Sequence, residues 1–298
     1  DAYAPRLGIR PTVKLRVWLW SILRTLLMGN NLMYEQKVLA VNTRFTHAPL
    51  KQPSVLITVA KSGSHLLRNV LCMFIPASQQ RYHHEDSLTN GGKGTLTTPI
   101  FIWGHIPITP TAANALQVAR KILLVRDPYD WVLAMARYVT TNLISLARNT
   151  NEYHINDDIY ERKGITLGEL FNILIIGMDI RNRHPSIRTA YIPVAVGWKN
   201  LGVHLVKYEE LCKHINDLRN AVDTEDTKQY FREILGAFNI EMPDDWKERV
   251  LVGSDTNLSV TARENVGVNY DIPDVLPDEF KKLVDFTVPN LREYLGYE

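Results

Sequence analysis

A lysine and a group of small residues follow the first strand-like apolar run of the chain. Residues 54–71 read SVLITVAKSGSHLLRNVL, with Lys61, Ser62, Gly63 and Ser64 at the junction between that run and a helix-like segment. A strand-to-helix turn of this kind leaves backbone N–H groups at a helix N-terminus, where an anion is favoured, and the lysine adds a full positive charge. The junction therefore predicts a site for a phosphate or sulfate group.

The order of residues in this turn differs from that of a nucleotide triphosphatase loop. That loop reads G-x-x-x-x-G-K-[ST], with glycines before the lysine, whereas Lys61 precedes Gly63 here. The chain also lacks the G-x-G-x-x-G fingerprint of dinucleotide-binding proteins and the G-x-S-x-G turn of hydrolases. Taken alone, the turn leaves open a plain surface turn as the alternative.

A second candidate anion ligand ends another apolar run. Residues 119–139 read ARKILLVRDPYDWVLAMARYV, in which Arg126 ends the run, Asp127 can cap the next helix and Pro128 suits its first turn. An arginine at the carboxyl end of a central strand lies where open α/β sheets bind ligands, and its guanidinium suits a phosphate. The alternative is a local ion pair with Asp127 or Asp130.

Short apolar runs alternate with longer segments of helical period along most of the chain. The strand candidates are residues 55–59, 100–103, 122–125 and 203–206, and the helix candidates are residues 65–74, 111–119, 129–147 and 209–222. This order predicts an α/β fold with a central parallel sheet flanked by helices. Residues 78–98 and 148–163 are long irregular stretches, of a kind that is usually functional or disordered.

Composition limits the class of protein. The chain has 298 residues, and its 34 basic residues nearly balance 32 acidic ones, for a formal net charge of +2. That charge argues against nucleic-acid binding, so any anion site must be local. Cys72 and Cys212 match no metal spacing and are expected to be two reduced, buried thiols. Because neither a membrane-spanning length nor a signal-peptide pattern occurs, we expect a cytoplasmic protein.

The segment LRVWLWSILRTLLM, residues 15–28, is apolar over most of a helical circumference. We expect it to form a helix that packs against its own domain. Contact with a membrane surface or with a partner protein is the alternative.

The two anion-site stretches resemble the sulfotransferases that use 3′-phosphoadenosine 5′-phosphosulfate. AKSGSHLL is similar to the family's 5′-phosphosulfate loop, and LLVRDPYDWVLA to its 3′-phosphate motif. GHIP at residues 104–107, LVKYEEL at residues 205–211 and the closing YLGYE are similar to further family segments in the same order. The resemblance implies a P-loop NTPase-like three-layer fold, with residues 51–298 as the sulfotransferase domain and residues 1–50 as an N-terminal helical extension packed on it.

The resemblance also implies roles for individual residues. Lys61 would hold the 5′-phosphate and neutralise charge on the bridging oxygen, and His105 would be the general base that removes the acceptor's proton. Seven residues in all would join Lys61 in binding the co-substrate: Ser62, Gly63, Ser64 and His65 around the phosphosulfate, Arg126 and Arg263 at the 3′-phosphate, and Tyr208 near the adenine.

The implied activity is direct in-line transfer of a sulfuryl group to a hydroxyl or amine, without a metal. The acceptor would be a small molecule, such as a natural product of secondary metabolism or a lipid. Acidic residues and histidines in the stretches 78–98 and 148–163 suit a cationic or polar acceptor, or are simply solvated. A P-loop kinase or nucleotidase, and a non-catalytic binding protein on a degenerate sulfotransferase scaffold, are the competing functions.

The sequence departs from the family's pattern at three places. Ala134 stands where the family has a serine that also binds the 3′-phosphate, and Arg137 or Arg263 is the candidate to replace that contact. Residues 261–272, TARENVGVNYDI, are only faintly similar to the family's late R-K-G-x-x-G-x-W loop. Leu66 stands where many members have a tryptophan that packs on the adenine.

Overall fold

A parallel sheet forms the centre of the molecule. The computed structural model describes residues 35–81, 95–140, 166–177, 186–222, 224–259 and 271–298. Within these ranges four strands form one sheet in the order β2-β1-β3-β4, and every neighbouring pair is parallel. The strands are β1 Ser54–Thr58, β2 Phe101–Gly104, β3 Arg120–Val125 and β4 His204–Lys207. Each predicted strand is confirmed, with ends that differ by one or two residues.

Helices lie between and after the strands. The first described helix includes residues 35–42. The others are α1 Ser64–Cys72, α2 Pro110–Ala115, α3 Pro128–Val139, α4 Leu167–Ile176, α5 Ile187–Tyr191, α6 Gly197–Lys199, α7 Tyr208–Arg219, α8 Glu225–Ala237, α9 Trp246–Gly253, α10 Asp278–Thr287 and α11 Leu291–Leu295. A π-helical turn, Ile192–Val196, joins α5 to α6.

The strands bury both of their faces, which makes the fold three-layered. Val55 and Ile57 point into one apolar cluster, formed with α2 to α6, α10 and α11. Leu56 points into a second cluster, formed with α1, α7, α8, α9 and the helix that includes residues 35–42. Because successive side chains of a strand alternate between faces, continuous apolar runs are what such a sheet requires. The predicted α/β class with a central parallel sheet is confirmed.

All four predicted helices run past the ends of the observed ones: those over residues 65–74 and 209–222 by two or three residues, and the other two by four or more. The helix predicted over residues 111–119 ends at Ala115, after which Gln117 and Ala119 hydrogen-bond back in turns. The helix predicted over residues 129–147 ends at Val139, where Thr140 Oγ1 donates to the carbonyl oxygen of Ala136 at 2.8 Å. A hydroxyl that bonds a carbonyl one turn back competes with continuation of the helix. Residues 141–147 lie outside the described residues.

Residues 35–50 are the described part of the predicted N-terminal extension, and they pack on α1 and α9. Asn42 Nδ2 donates to the carbonyl oxygens of Cys72 and Ile75 at 2.6 and 3.0 Å. Arg249 of α9 donates to Thr46 O at 2.8 Å. Residues 15–28 lie outside the described residues, and within the described ones no helix has the length and apolar character to cross a membrane.

The two cysteines differ in their burial. Cys72 is buried in α1, whereas Cys212 of α7 is only partly buried, and neither forms a disulfide. The prediction of two buried thiols is therefore right for Cys72 and wrong for Cys212, which lies on α7 one helical turn after Tyr208 and keeps part of its surface accessible.

Candidate functional site

The carboxyl ends of the four strands meet at one edge of the sheet, and residues of the predicted site follow each of them. Lys61 follows β1, His105 follows β2, Arg126 follows β3 and Tyr208 follows β4. Since all four strands are parallel, these residues emerge on the same side. This is the edge where open α/β sheets bind ligands.

The turn after β1 has two residues in the left-handed backbone region. Lys61 has φ +61° and Gly63 has φ +86°. The backbone N–H of Leu67 donates to Gly63 O, so the helical ladder of α1 begins there, and no side chain caps its first turn. The first turn also carries no acidic residue. The N-terminus of α1 therefore presents backbone donors and a positive dipole end toward an anion.

Ser62 and Ser64 fix this turn from the inside. Ser62 Oγ shares its proton between two carbonyl oxygens, Val59 O at 2.6 Å and Leu124 O at 3.3 Å. Ser64 Oγ donates to Thr58 Oγ1 at 2.9 Å. Both residues are buried. The hydroxyl protons of these two serines are thus used within the protein, and the backbone N–H of Ser62 also donates to Val59 O at 3.2 Å. The backbone N–H of Ser64 is what this pair can offer to a ligand.

Gly63 allows Tyr208 to approach the turn. A Cβ atom at Gly63 would lie 2.3 Å from Cδ2 of Tyr208, closer than such atoms approach. Burial, and to a smaller extent the neighbouring Cys212 thiol, raise the pKa of Tyr208 above its ordinary value. The guanidinium carbon of Arg126 lies 4.5 Å from the centre of the Tyr208 ring. Tyr208 thereby links the turn after β1 to the arginine after β3.

Arg126 is not used by either neighbouring aspartate. Asp127 instead pairs with Arg292, at 2.8 Å between Oδ2 and Nη2. Burial raises the pKa of Asp130 while the charge of Arg126 lowers it, and no ion pair joins these two among the described residues. Arg126 Nη1 reaches Lys61 O at 3.5 Å, and its buried Nε has no hydrogen-bond partner there. A buried donor without a partner is uncommon, and an oxyanion would satisfy it.

His105 is held by the last residue of β1. Its Nδ1 lies 3.0 Å from Thr58 O and 2.8 Å from Thr58 Oγ1. Because a carbonyl oxygen only accepts, Nδ1 carries the proton and the lone pair of the imidazole is on Nε2. This tautomer can accept a proton from a substrate. Sequence reasoning missed Thr58, which reads as an ordinary strand residue.

The ammonium of Lys61 lies 3.0 Å from the ring centre of Tyr138, in α3. Burial lowers the pKa of Lys61 to about 7. Sequence reasoning also missed Tyr138, although its position one helical turn after Ala134 places both on the same face of α3.

Three buried aromatic side chains hold the loops that carry the site. Trp131 Nε1 donates to Ala60 O at 2.7 Å, in the loop after β1. Trp198 Nε1 donates to Ile106 O at 2.8 Å, after β2. The Tyr191 hydroxyl donates to Arg126 O at 2.7 Å, after β3. All three donors are fully buried, so the loops are anchored to the core rather than only to each other.

The closing YLGYE segment packs at the start of α7. Tyr297 donates from its hydroxyl to Glu209 Oε2 at 2.9 Å, and Lys207 Nζ donates to Gly296 O at 2.8 Å. The other carboxylate oxygen of Glu209 accepts the N–H of Asp127 at 3.0 Å. The C-terminus therefore joins β4 and α7 to the start of α3.

The remaining predicted site residues are His65, in the first turn of α1, the candidate Arg137, and residues outside the described ranges. His65 in α1 contacts Trp103 edge to face, with ring centres 5.2 Å apart. Arg137 donates to Pro273 O at 2.8 Å and pairs with Asp274 at 3.3 Å, so it is engaged away from the turn after β1. Arg263, most of the late loop and most residues of the stretches 78–98 and 148–163 are not among the described residues.

Comparisons with known proteins give distant structural likeness and no match in sequence. No protein-family model matches the chain, and no curated protein sequence matches it. Among solved structures, the crystal structure of mouse sulfotransferase SULT7A1 complexed with PAP is similar, with 14% sequence identity and a TM-score of 0.47. The alignment covers 87% of this chain and 92% of that chain. Function has to be argued from the site of this chain itself.

Proposed function

We propose that this protein is a sulfotransferase, which moves a sulfuryl group from 3′-phosphoadenosine 5′-phosphosulfate to a hydroxyl or amine of a small molecule. The observation that carries the proposal is the convergence of Lys61, His105 and Arg126 at the carboxyl edge of the sheet. These residues provide a buried cation, a base in the required tautomer and an unsatisfied guanidinium donor. Their motifs resemble those of the sulfotransferase family.

The donor would bind along the edge from β1 to β3. Its 5′-phosphosulfate would accept hydrogen bonds from the first N–H groups of α1 and from Lys61. Its 3′-phosphate would bind the guanidinium of Arg126, whose Nε needs an acceptor. Tyr208 would hold that guanidinium in place through their 4.5 Å contact. A contact of Tyr208 with the adenine, and of Arg263 with the 3′-phosphate, stays a prediction.

The transfer would be a direct displacement at sulfur. The acceptor's oxygen or nitrogen attacks the sulfur while His105 Nε2 takes its proton, and the bond between sulfur and the bridging oxygen breaks. The negative charge that develops on the leaving 5′-phosphate is stabilised by Lys61 in its charged form and by the N-terminus of α1. Ser64 and Thr58 act on the base only indirectly, because their hydrogen bonds fix the imidazole.

The test is calorimetric titration with 3′-phosphoadenosine 5′-phosphate, with ADP, AMP and ATP as comparators. We expect the 3′-phosphate to raise affinity at least about tenfold over ADP, since a charged bidentate contact with Arg126 is worth more than 1.4 kcal/mol. Arg126→Gln should abolish that preference. Arg232→Gln, the same change on the exposed surface of α8, should leave it intact.

Three results would contradict the proposal. Equal affinity for ADP and for 3′-phosphoadenosine 5′-phosphate would mean that the edge does not recognise a 3′-phosphate. Hydrolysis of ATP that requires Mg²⁺ would favour the kinase or nucleotidase alternative instead. Binding of the nucleotide without transfer to any hydroxyl or amine in an acceptor screen would favour the non-catalytic alternative.

A further inference from the structure

The ammonium of Lys61 and the ring of Tyr138 form a close contact that the reaction itself does not require. Lys61 Nζ lies 3.0 Å from the centre of the ring. The two residues come from different elements, since Lys61 lies in the turn after β1 and Tyr138 in the last turn of α3. The methyl side chain of Ala134, on the same face of α3, offers the lysine no hydrogen bond.

Two physical effects act on this ammonium in opposite directions. Removal from water disfavours its charged form and lowers the pKa of Lys61 to about 7. The negative face of an aromatic ring attracts a cation, and the attraction is strongest when the cation is desolvated. The ring of Tyr138 therefore favours the charged form at a position where burial alone leaves the amine about half protonated at pH 7.

Other titratable groups near the turn do not take over this function. The elements next to the turn carry several titratable residues: His65 and Arg68 on α1, His105 after β2, Arg126 and Asp127 after β3, Tyr129, Asp130 and Arg137 on α3, and Tyr208, Glu209, Glu210 and Cys212 at the start of α7. Burial is the cause of the lowered pKa of Lys61, without a charge effect from any of them among the described residues. Within those residues, Tyr138 is thus the group whose contact opposes burial.

We propose that Tyr138 is a positioning residue of the donor site, which holds the Lys61 ammonium against its ring until an anionic phosphate group competes for it. This inference rests on the proposed function, in which the 5′-phosphate is that group. A phosphate dianion attracts an ammonium more strongly than a ring face does. Donor binding then draws the ammonium away from the ring and keeps it protonated. An amine that is neutral before binding takes this proton from the solvent.

The first experiment needs no ligand. Lysine labelled with ¹³C at Cε is titrated by NMR in the wild type, with Lys61 assigned by its loss in Lys61→Met. Tyr138→Leu should lower the pKa of Lys61 by about one pH unit, because the attraction of a desolvated ring is lost. Tyr138→Phe keeps the ring face and should leave the pKa nearly unchanged. Tyr138→Met, which fills the space without an aromatic ring, serves if the leucine variant does not fold.

The result that overturns the inference is an unchanged Lys61 pKa in both ring-free variants. A fall of the same size in Tyr138→Phe would also overturn it, because the ring face would then not be the cause. If Tyr138 only filled space, the pKa of Lys61 would be the same in the wild type and in the ring-free variants.

The second experiment follows the proton during donor binding. Calorimetry with 3′-phosphoadenosine 5′-phosphate in two buffers of different ionisation enthalpy gives the number of protons taken up. The wild type should take up more protons than Lys61→Met, by roughly 0.9 proton at pH 8 and roughly 0.1 proton at pH 6. The reason is that an amine with a pKa of about 7 is mostly neutral at pH 8 and mostly charged at pH 6. Equal uptake in both proteins would overturn the release of Lys61 from the ring.

The two experiments separate failure of this inference from failure of the proposed function. A Tyr138-dependent pKa together with no binding of the nucleotide would contradict the proposed function and the release step, and would support the ring contact. Nucleotide binding with a preference for the 3′-phosphate, but a Lys61 pKa that does not depend on Tyr138, would support the proposed function and overturn the inference.

Discussion

Lys61 should destabilise the folded protein, because its ammonium is buried without a carboxylate partner. The described residues give it only the ring of Tyr138. Lys61→Met keeps the length and apolar stem of the side chain and keeps the left-handed backbone position, so the strain at φ +61° is the same in both proteins. The substitution therefore removes the buried charge with little other change, and should raise the stability of the fold while it weakens donor binding.

The expected size follows from the pKa. A fall from 10.5 to about 7 corresponds at pH 7 to roughly 4 kcal/mol, at 1.36 kcal/mol for each pH unit. The attraction of the Tyr138 ring offsets about 1 kcal/mol of this cost of burying the ammonium. Lys61→Met should thus be more stable than the wild type by about 3 kcal/mol at pH 7.

The pH dependence gives the sharper test. Between pH 7 and pH 10.5 the unfolded chain binds more protons at this lysine than the folded protein, so the stability of the wild type rises with pH relative to the variant. The advantage of the variant should shrink by about 2 kcal/mol from pH 7 to pH 9. Urea unfolding of both proteins at several pH values measures this difference, and other titrating groups cancel in it.

A matched control and a refuting result are available. Lys213→Met changes an exposed lysine of α7, whose side chain is 63% exposed, and should show no such dependence. Two results would refute the reasoning that burial has lowered the pKa of Lys61. One is a stability advantage of Lys61→Met that stays constant from pH 7 to pH 9, and the other is a variant that is less stable than the wild type at pH 7.

Four further substitutions test the rest of the site. His105→Ala should lower turnover by about 10²–10⁴-fold with little loss of nucleotide affinity in calorimetry, and equal losses of both would contradict its role as base. Thr58→Val removes one acceptor of Nδ1 and should lower kcat about tenfold and shift the pH–rate profile, whereas a change in KM alone would not fit. Gly63→Ala should cost at least about 2 kcal/mol in urea unfolding, because its Cβ would meet Tyr208 and its φ is positive; an unchanged midpoint would show that Tyr208 can move away. Trp198→Phe should leave Ile106 O without its donor, costing about 1–3 kcal/mol and lowering kcat more than nucleotide affinity.

The sequence allowed the sheet to be predicted because its strands are buried on both faces. A continuous apolar run such as residues 122–125 is typical of that environment. The junction between β1 and α1 was also predictable, because small residues separate an apolar run from a segment of helical period there. The ends of α2 and α3 were less predictable, since they depend on turn and hydroxyl bonds rather than on apolar period.

The partners of the site residues could not be predicted, because they come from distant parts of the chain. Nothing near Asp127 in the sequence indicates Arg292, yet this pair leaves Arg126 without an aspartate. Likewise, nothing near Arg137 in the sequence indicates that it donates to Pro273 O. The tyrosine that contacts Lys61 is likewise defined only once α3 has packed against β1.

The aromatic anchors explain how this edge can attract an anion despite its many carbonyl groups. A carbonyl oxygen pointing at a phosphate would repel it, and each loop after β1, β2 and β3 contains such groups. Trp131, Trp198 and Tyr191 each bond one of these oxygens from the core side, which both satisfies it and turns it away from the ligand edge. The backbone donors at the N-terminus of α1 and the guanidinium of Arg126 are then the groups left to face a ligand. Because these donors are fixed before binding, they need little reorganisation when charge develops, and we therefore expect the edge to bind an anion even with alanine at position 134.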